Sequence, residues 1–278
     1  MPRTPIDLGR VLGRPARARG TRVMLISTPR SGNTWVRRLL TTAYRADESP
    51  RGESWAHSPD ELPWDEFPLT SVVQIHWCPE PAFRRQIRAR GFRVVTVVRH
   101  PLDTLISILQ MCQGTRETER WLNGVGGDES PIWSASPTSQ AFLDYATGPR
   151  ARALLALNLE WAATPGTLLV RYESLVDDPF SGLTTLTRKL GRVQDVDVRR
   201  AVESNTIERL RASHNAIHFW QGKPGQWKRL LPGETARRIA SAHWKSFQAF
   251  GYACDPDPSL GSDEAEANWR SLTTDRAV

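Results

Sequence analysis

A chain of 278 residues that is 39% hydrophobic and 24% charged carries enough apolar material for one large α/β domain or two small ones, and it lacks the composition of a disordered or collagenous chain. Its formal charge of +7 suits either a nucleic-acid surface or a pocket for a polyanionic small molecule, but basic residues are scattered, with concentrations at 3–22, 84–93 and 199–211 and no long tract. Cys78, Cys112 and Cys254 lie far apart without CxxC spacing, which argues against a zinc site or disulfide framework and for a reducing compartment.

Residues 1–20 carry Arg, Pro and Gly without periodicity and predict a flexible basic leader, with no apolar stretch of signal-peptide length. No run anywhere approaches 18 apolar residues, so no membrane span is expected and a cytoplasmic location follows. The folded body is expected over 21–254, and its first strand over Val23–Ser27. Ser27-Thr28-Pro29-Arg30-Ser31-Gly32-Asn33-Thr34-Trp35 then leads into a helical pattern from Trp35 to Tyr44. A strand, a turn of small residues and a helix can aim backbone N–H groups and the positive helix end at a phosphate, with Ser31 and Thr34 as hydroxyl donors and Arg30 as a cation. An ordinary strand-to-helix connection also uses Ser, Asn and Thr, as caps and turn formers. The turn lacks the paired glycines and the Lys of a Walker A loop, which argues against ordinary ATP or GTP hydrolysis.

Further β-branched runs at Ser71–Ile75, Arg93–Val98 and Thr167–Arg171 alternate with helical patterns such as Pro81–Ala89, predicting a parallel sheet covered on both faces. Arg99-His100-Pro101-Leu102-Asp103 follows the third strand, so Arg99 sits at the carboxyl end of a parallel strand, where open α/β sheets bind ligands. Ser107 lies about two helical turns on. Between Gln113 and Gln140 the chain turns polar and Gly-rich around Trp121 and Trp133, predicting either a lid or binding loop, or a surface insertion. Phe219-Trp220-Gln221-Gly222-Lys223-Pro224-Gly225-Gln226-Trp227-Lys228 joins aromatic, glycine and cationic residues in a loop suited to a flat, charged ligand. Residues 255–278, rich in Asp, Pro, Ser and Glu, predict a loosely attached tail.

In this order the segments resemble the sulfotransferases that use 3′-phosphoadenosine 5′-phosphosulfate (PAPS), over roughly residues 22–252. Thr28 to Trp35 is similar to the family's phosphosulfate loop, Tyr-Pro-Lys-Ser-Gly-Thr-Thr-Trp, and Val98 to Ser107 to its 3′-phosphate motif. Gly222 to Lys228 resembles its Gly-x-x-Gly-Asp-Trp-Lys loop, and Val170-Arg171-Tyr172-Glu173-Ser174-Leu175 the segment whose tyrosine approaches adenine. The resemblance implies a three-layer α/β fold with a central parallel sheet flanked by helices and a P-loop-like phosphosulfate-binding turn. It implies that Arg30, Ser31, Gly32, Asn33 and Thr34 hold the phosphosulfate end, with Arg30 also assisting catalysis, and that Trp35 stacks on the adenine. Arg99, Ser107 and Lys223 would bind the 3′-phosphate, with Gly222 in the closing loop and Tyr172 and Thr206 near the adenine. His76 stands where the family has its catalytic base. PAPS is then the co-substrate, with no metal, no nucleic acid and no membrane partner, and the acceptor is a hydroxyl, secondarily an amine, of a small molecule or glycan. Arg30 replaces a lysine, Gln74 another, Trp220-Gln221 an Arg-Lys pair and Gln226 an acid. The family's dimerisation pattern is missing after Lys228, which leaves oligomeric state open. A nucleotide-dependent phosphotransferase or kinase, and a basic nucleic-acid-binding protein, are the competing readings.

Overall fold

The computed structural model describes residues 20–46, 58–114, 118, 121–124, 127–213 and 219–274. All but the last residue of the expected leader lie outside the described residues. In chain order the first half runs β1 (Arg22–Ile26), α1 (Asn33–Tyr44), β2 (Ser71–Ile75), α2 (Pro81–Ala89), β3 (Phe92–Val98), α3 (Pro101–Cys112), α4 (Gln140–Thr147) and α5 (Pro149–Ala162). The second half runs β4 (Leu168–Arg171), α6 (Tyr172–Asp177), α7 (Pro179–Leu190), α8 (Asp195–Ser204), α9 (Ile207–Ser213), α10 (Gly233–Ala242), α11 (Trp244–Phe250) and α12 (Ser262–Thr274). Proline opens α2, α3, α5 and α7, at the position where a missing N–H costs the helix nothing.

The sheet has the order β2-β1-β3-β4, and every described pairing is parallel. Side chains alternate along β1, so the strand feeds two cores. Met24 and Ile26 join Leu105, Ile106, Leu154 and Trp161 on the α3 and α5 side. Val23 and Leu25 join Val36, Leu40, Leu183 and Val198 on the α1, α7 and α8 side. These four residues of β1 are fully buried, each contributing about 1.5–3 kcal/mol relative to exposure. This three-layer arrangement agrees with the expected fold. It puts the carboxyl ends of all four strands along one rim.

Within Gln113–Gln140, expected as a lid or binding loop or a surface insertion, the described Trp121, Leu122, Ile132 and Ala135 are buried. Beneath them Glu129, fully buried, accepts from Arg150 Nε at 2.7 Å and from the Tyr145 hydroxyl at 3.2 Å, and Arg150 also reaches the Trp121 carbonyl. The expected loose tail is corrected. Its composition conceals an amphipathic helix, α12, whose Ala265 and Trp269 are buried against the body. No described helix is long and apolar enough to cross a membrane.

Candidate active site

The turn after β1 is fixed by buried polar partners from both neighbouring layers. Ser27 Oγ accepts from Val97 N at 2.7 Å. Thr28 N donates to Asn158 Oδ1 at 2.8 Å, Thr28 Oγ1 donates to the Leu154 carbonyl at 2.6 Å, and Asn33 Nδ2 donates to the Thr28 carbonyl at 3.0 Å. Arg30 and Gly32 adopt positive φ, at 68° and 104°. A side chain at Gly32 is sterically forbidden, since its Cβ would lie 2.4 Å from Tyr172 Cδ2. The first intrahelical bond of α1 is Val36 N to the Gly32 carbonyl, so the amides before it are left for another acceptor. Gly32, Asn33, Thr34 and Trp35 line a cavity of about 340 Å³. Ser31 is fully buried and is not part of the lining, and its Oγ has no hydrogen-bond partner.

His76 follows β2 and lines the same cavity. Its Nδ1 lies 2.7 Å from the Ser27 carbonyl oxygen, which can only accept, so Nδ1 carries the proton and Nε2 keeps its lone pair. Burial holds the imidazole down from 6.5 to about 4, opposed by the bond to Ser27. The ring meets Trp121 edge-on, with centroids 6.5 Å apart, and Gln74 and Met111 complete this side of the cavity.

Arg99 leaves the end of β3 and donates from Nη1 to the Arg30 carbonyl at 3.2 Å, while its buried Nε has no partner. Its guanidinium lies 4.8 Å from the Tyr172 ring centroid. Arg30 Nε in turn donates to Ser107 Oγ at 3.1 Å, so two segments far apart in sequence meet here. On the opposite side, the Tyr172 hydroxyl donates to the Gly222 carbonyl at 2.9 Å, and burial keeps that phenol protonated by raising its pKa. Trp35 meets Tyr172 edge-on at 5.9 Å and donates Nε1–H to the Asn205 carbonyl at 2.9 Å. Thr206 also lines the cavity.

Lys223 differs from the rest of the expected set, because it is exposed and does not line the cavity. The turn formed by Gly222 and Gly225, both at positive φ, carries that side chain away from the cavity wall. Asp103 is the residue that sequence reasoning missed. Only 1% exposed, it accepts from Gly225 N at 2.6 Å and Trp227 N at 3.0 Å, tying α3 to the loop at 219–229. An acid in the first turn of a buried apolar helix was the available signal. Among the described residues the cavity wall contains Arg30, Arg99 and His76 and no Asp or Glu, so the field of these residues favours anions. Among the described residues, no three His, Cys, Asp or Glu side chains gather as a metal-binding group.

The structure is similar to mouse sulfotransferase SULT7A1 complexed with PAP, with 18% identity over 83% of this chain and 86% of that one and a TM-score of 0.60. It is also similar to retinol dehydratase in complex with androsterone and the inactive cofactor PAP, with 15% identity over 83% and 81% and a TM-score of 0.56. At such identities these likenesses speak to fold. No curated protein sequence matches the chain. The family model described as Sulfotransferase domain matches residues 20–249, most of the chain and all four strands. The chain therefore belongs to the sulfotransferase domain family.

Proposed function

We propose that the protein transfers a sulfonyl group from PAPS to a hydroxyl of a small organic acceptor, with His76 as general base. The observation that carries this reading is the convergence of Arg30, His76 and Arg99, from three different strand ends, on one cavity. The residues present fit the co-substrate: Ser31 Oγ and Arg99 Nε are buried polar atoms without protein partners, and Gly32 leaves a side-chain-free cradle beside Tyr172. PAPS supplies the sulfonyl group and an adenosine 3′,5′-bisphosphate (PAP) leaving group. Retinol dehydratase and SULT7A1 are solved with PAP, which supports the same choice here.

Arg30, Gly32, Asn33, Thr34 and the first amides of α1 hold the phosphosulfate end, supported by Ser31. Arg99 and Ser107 hold the 3′-phosphate through charge-assisted and hydroxyl hydrogen bonds. Trp35, Tyr172 and Thr206 enclose the base, with Gly222 fixing the Tyr172 hydroxyl. His76 keeps its Nε2 lone pair available because Nδ1–H is committed to Ser27, and it takes the acceptor proton there, help of a kind that contributes about 10²–10⁴ fold. Arg30 keeps its charge at all relevant pH values, so the turn stabilises developing negative charge electrostatically and gives up no proton. The cations Arg30 and Arg99 in the wall disfavour a cationic amine, which supports a hydroxyl as the accepting group.

Calorimetric titration with adenosine 3′,5′-bisphosphate beside 5′-ADP and ATP tests the reading. Clear preference for the bisphosphate is expected. Preference for ATP would replace it with phosphoryl transfer.

A further inference from the structure

The helix α12 lies beyond residues 20–249, the span matched by the family, yet it is fastened to the cavity wall. Its Trp269, 5% exposed, meets Trp220 edge-on with centroids 6.0 Å apart, and Trp220 donates Nε1–H to the Leu272 carbonyl at 3.4 Å. Trp220 itself lines the cavity. Asn268 Nδ2 donates to the Arg229 carbonyl at 3.0 Å, so the helix grips the loop at 219–229 at both ends. From the same helix Glu266 accepts from Thr138 Oγ1 at 2.7 Å, which ties it to the segment entering α4.

That loop needs outside support. Gly222 and Gly225 both sit at positive φ, and the cations Lys223 and Lys228 are exposed, so the loop offers the cavity backbone and the side chains of Trp220, Gln221 and Gln226 instead of charge. A wall that acts through shape is only as good as its placement. Asp103 holds Gly225 and Trp227 from below, and Arg211 Nε holds the Phe219 carbonyl at 2.8 Å. Both hold the backbone of the loop, whereas the Trp220 ring is met by Trp269.

We propose that α12 is a positioning element for nucleotide binding, with Trp269 holding Trp220 in the cavity wall and Asn268 clasping the end of the same loop. The proposal rests on the sulfotransferase reading above. Removing the Trp269 indole lets the loop sample other placements, and a fall of the competent population to about one in ten weakens apparent affinity about tenfold.

The test is calorimetric titration of the full chain, Trp269→Ala, Trp269→Phe and Asn268→Ala with adenosine 3′,5′-bisphosphate, with thermal melts of each. The expected result is a loss of about tenfold for Trp269→Ala, recovery to within about threefold for Trp269→Phe, and a loss of about threefold for the partly exposed Asn268→Ala without change in melting temperature. Wild-type affinity in folded Trp269→Ala overturns the proposal and leaves the sulfotransferase reading standing. Should Trp269→Ala not fold, unchanged affinity in Asn268→Ala overturns it equally, and weakened affinity there supports it. A full chain that binds the bisphosphate no better than 5′-ADP removes both.

Discussion

The protonation of His76 yields a prediction that needs no acceptor. An unfolded chain returns this imidazole to its ordinary value of 6.5, whereas in the fold burial holds it at about 4. Because the folded value is depressed, the stabilising contribution is complete above pH 6.5 and is lost as pH falls toward 4. The gap corresponds to about 3 kcal/mol, most of it gone by pH 4.5. Burial also lowers His100 and His243, so the whole protein weakens in this window and subtraction is needed to isolate one ring. His76→Gln keeps a side-chain donor near the Ser27 carbonyl and removes the titration. Urea unfolding of both proteins from pH 7.5 to 4.5 should show the wild type losing about 2–3 kcal/mol more than the variant. Nitrogen NMR of the imidazole should show the Nδ1–H tautomer at neutral pH with a midpoint near 4. A midpoint near 6.5, an Nε2–H tautomer, or parallel pH profiles for the two proteins would refute the reasoning.

Three further outcomes are expected. Arg99→Ala should weaken adenosine 3′,5′-bisphosphate by about ten- to a hundredfold while changing 5′-ADP little, as calorimetry would show, because a charged hydrogen bond of about 1.5–3 kcal/mol is lost. Gly32→Ala combines a Cβ 2.4 Å from Tyr172 with a φ of 104°, so it should displace the tyrosine, abolish measurable nucleotide binding and lower the melting temperature. Arg150→Met strands Glu129 in the core and should cost about 3–5 kcal/mol in urea unfolding, whereas the Arg150→Met, Glu129→Leu double variant should recover most of it.

The phosphate turn, the four strands and the helix at Pro81–Ala89 were legible because each is a local pattern: a β-branched run, a small-residue turn, a proline at a helix start. Arg99 was legible for the same reason, since a strand end fixes where its neighbour points. Lys223 was not, because a glycine-flanked turn can send a side chain either way. The Arg30 to Ser107 contact and the Asp103 latch join residues 77 and 122 or more positions apart, which spacing does not encode. In α12 two buried side chains among solvated neighbours carry the docking, so composition pointed to a tail where geometry makes a helix.

The strand order has a consequence for how this protein's chemistry is divided. With β1 inside the sheet and β2 and β4 at its edges, the proposed base follows one edge strand, the phosphate turn and Arg99 follow the two inner strands, and the tyrosine near the base-binding side follows the other edge. The line along which a sulfonyl group would travel therefore runs across the strands and not along any one of them. On the proposed reading, segments beyond β2 can change in length and side chain to admit a different acceptor while the nucleotide half, built on β1, β3 and β4, stays as it is. Acceptor choice would then be written at one edge of the sheet and donor binding across the rest of it.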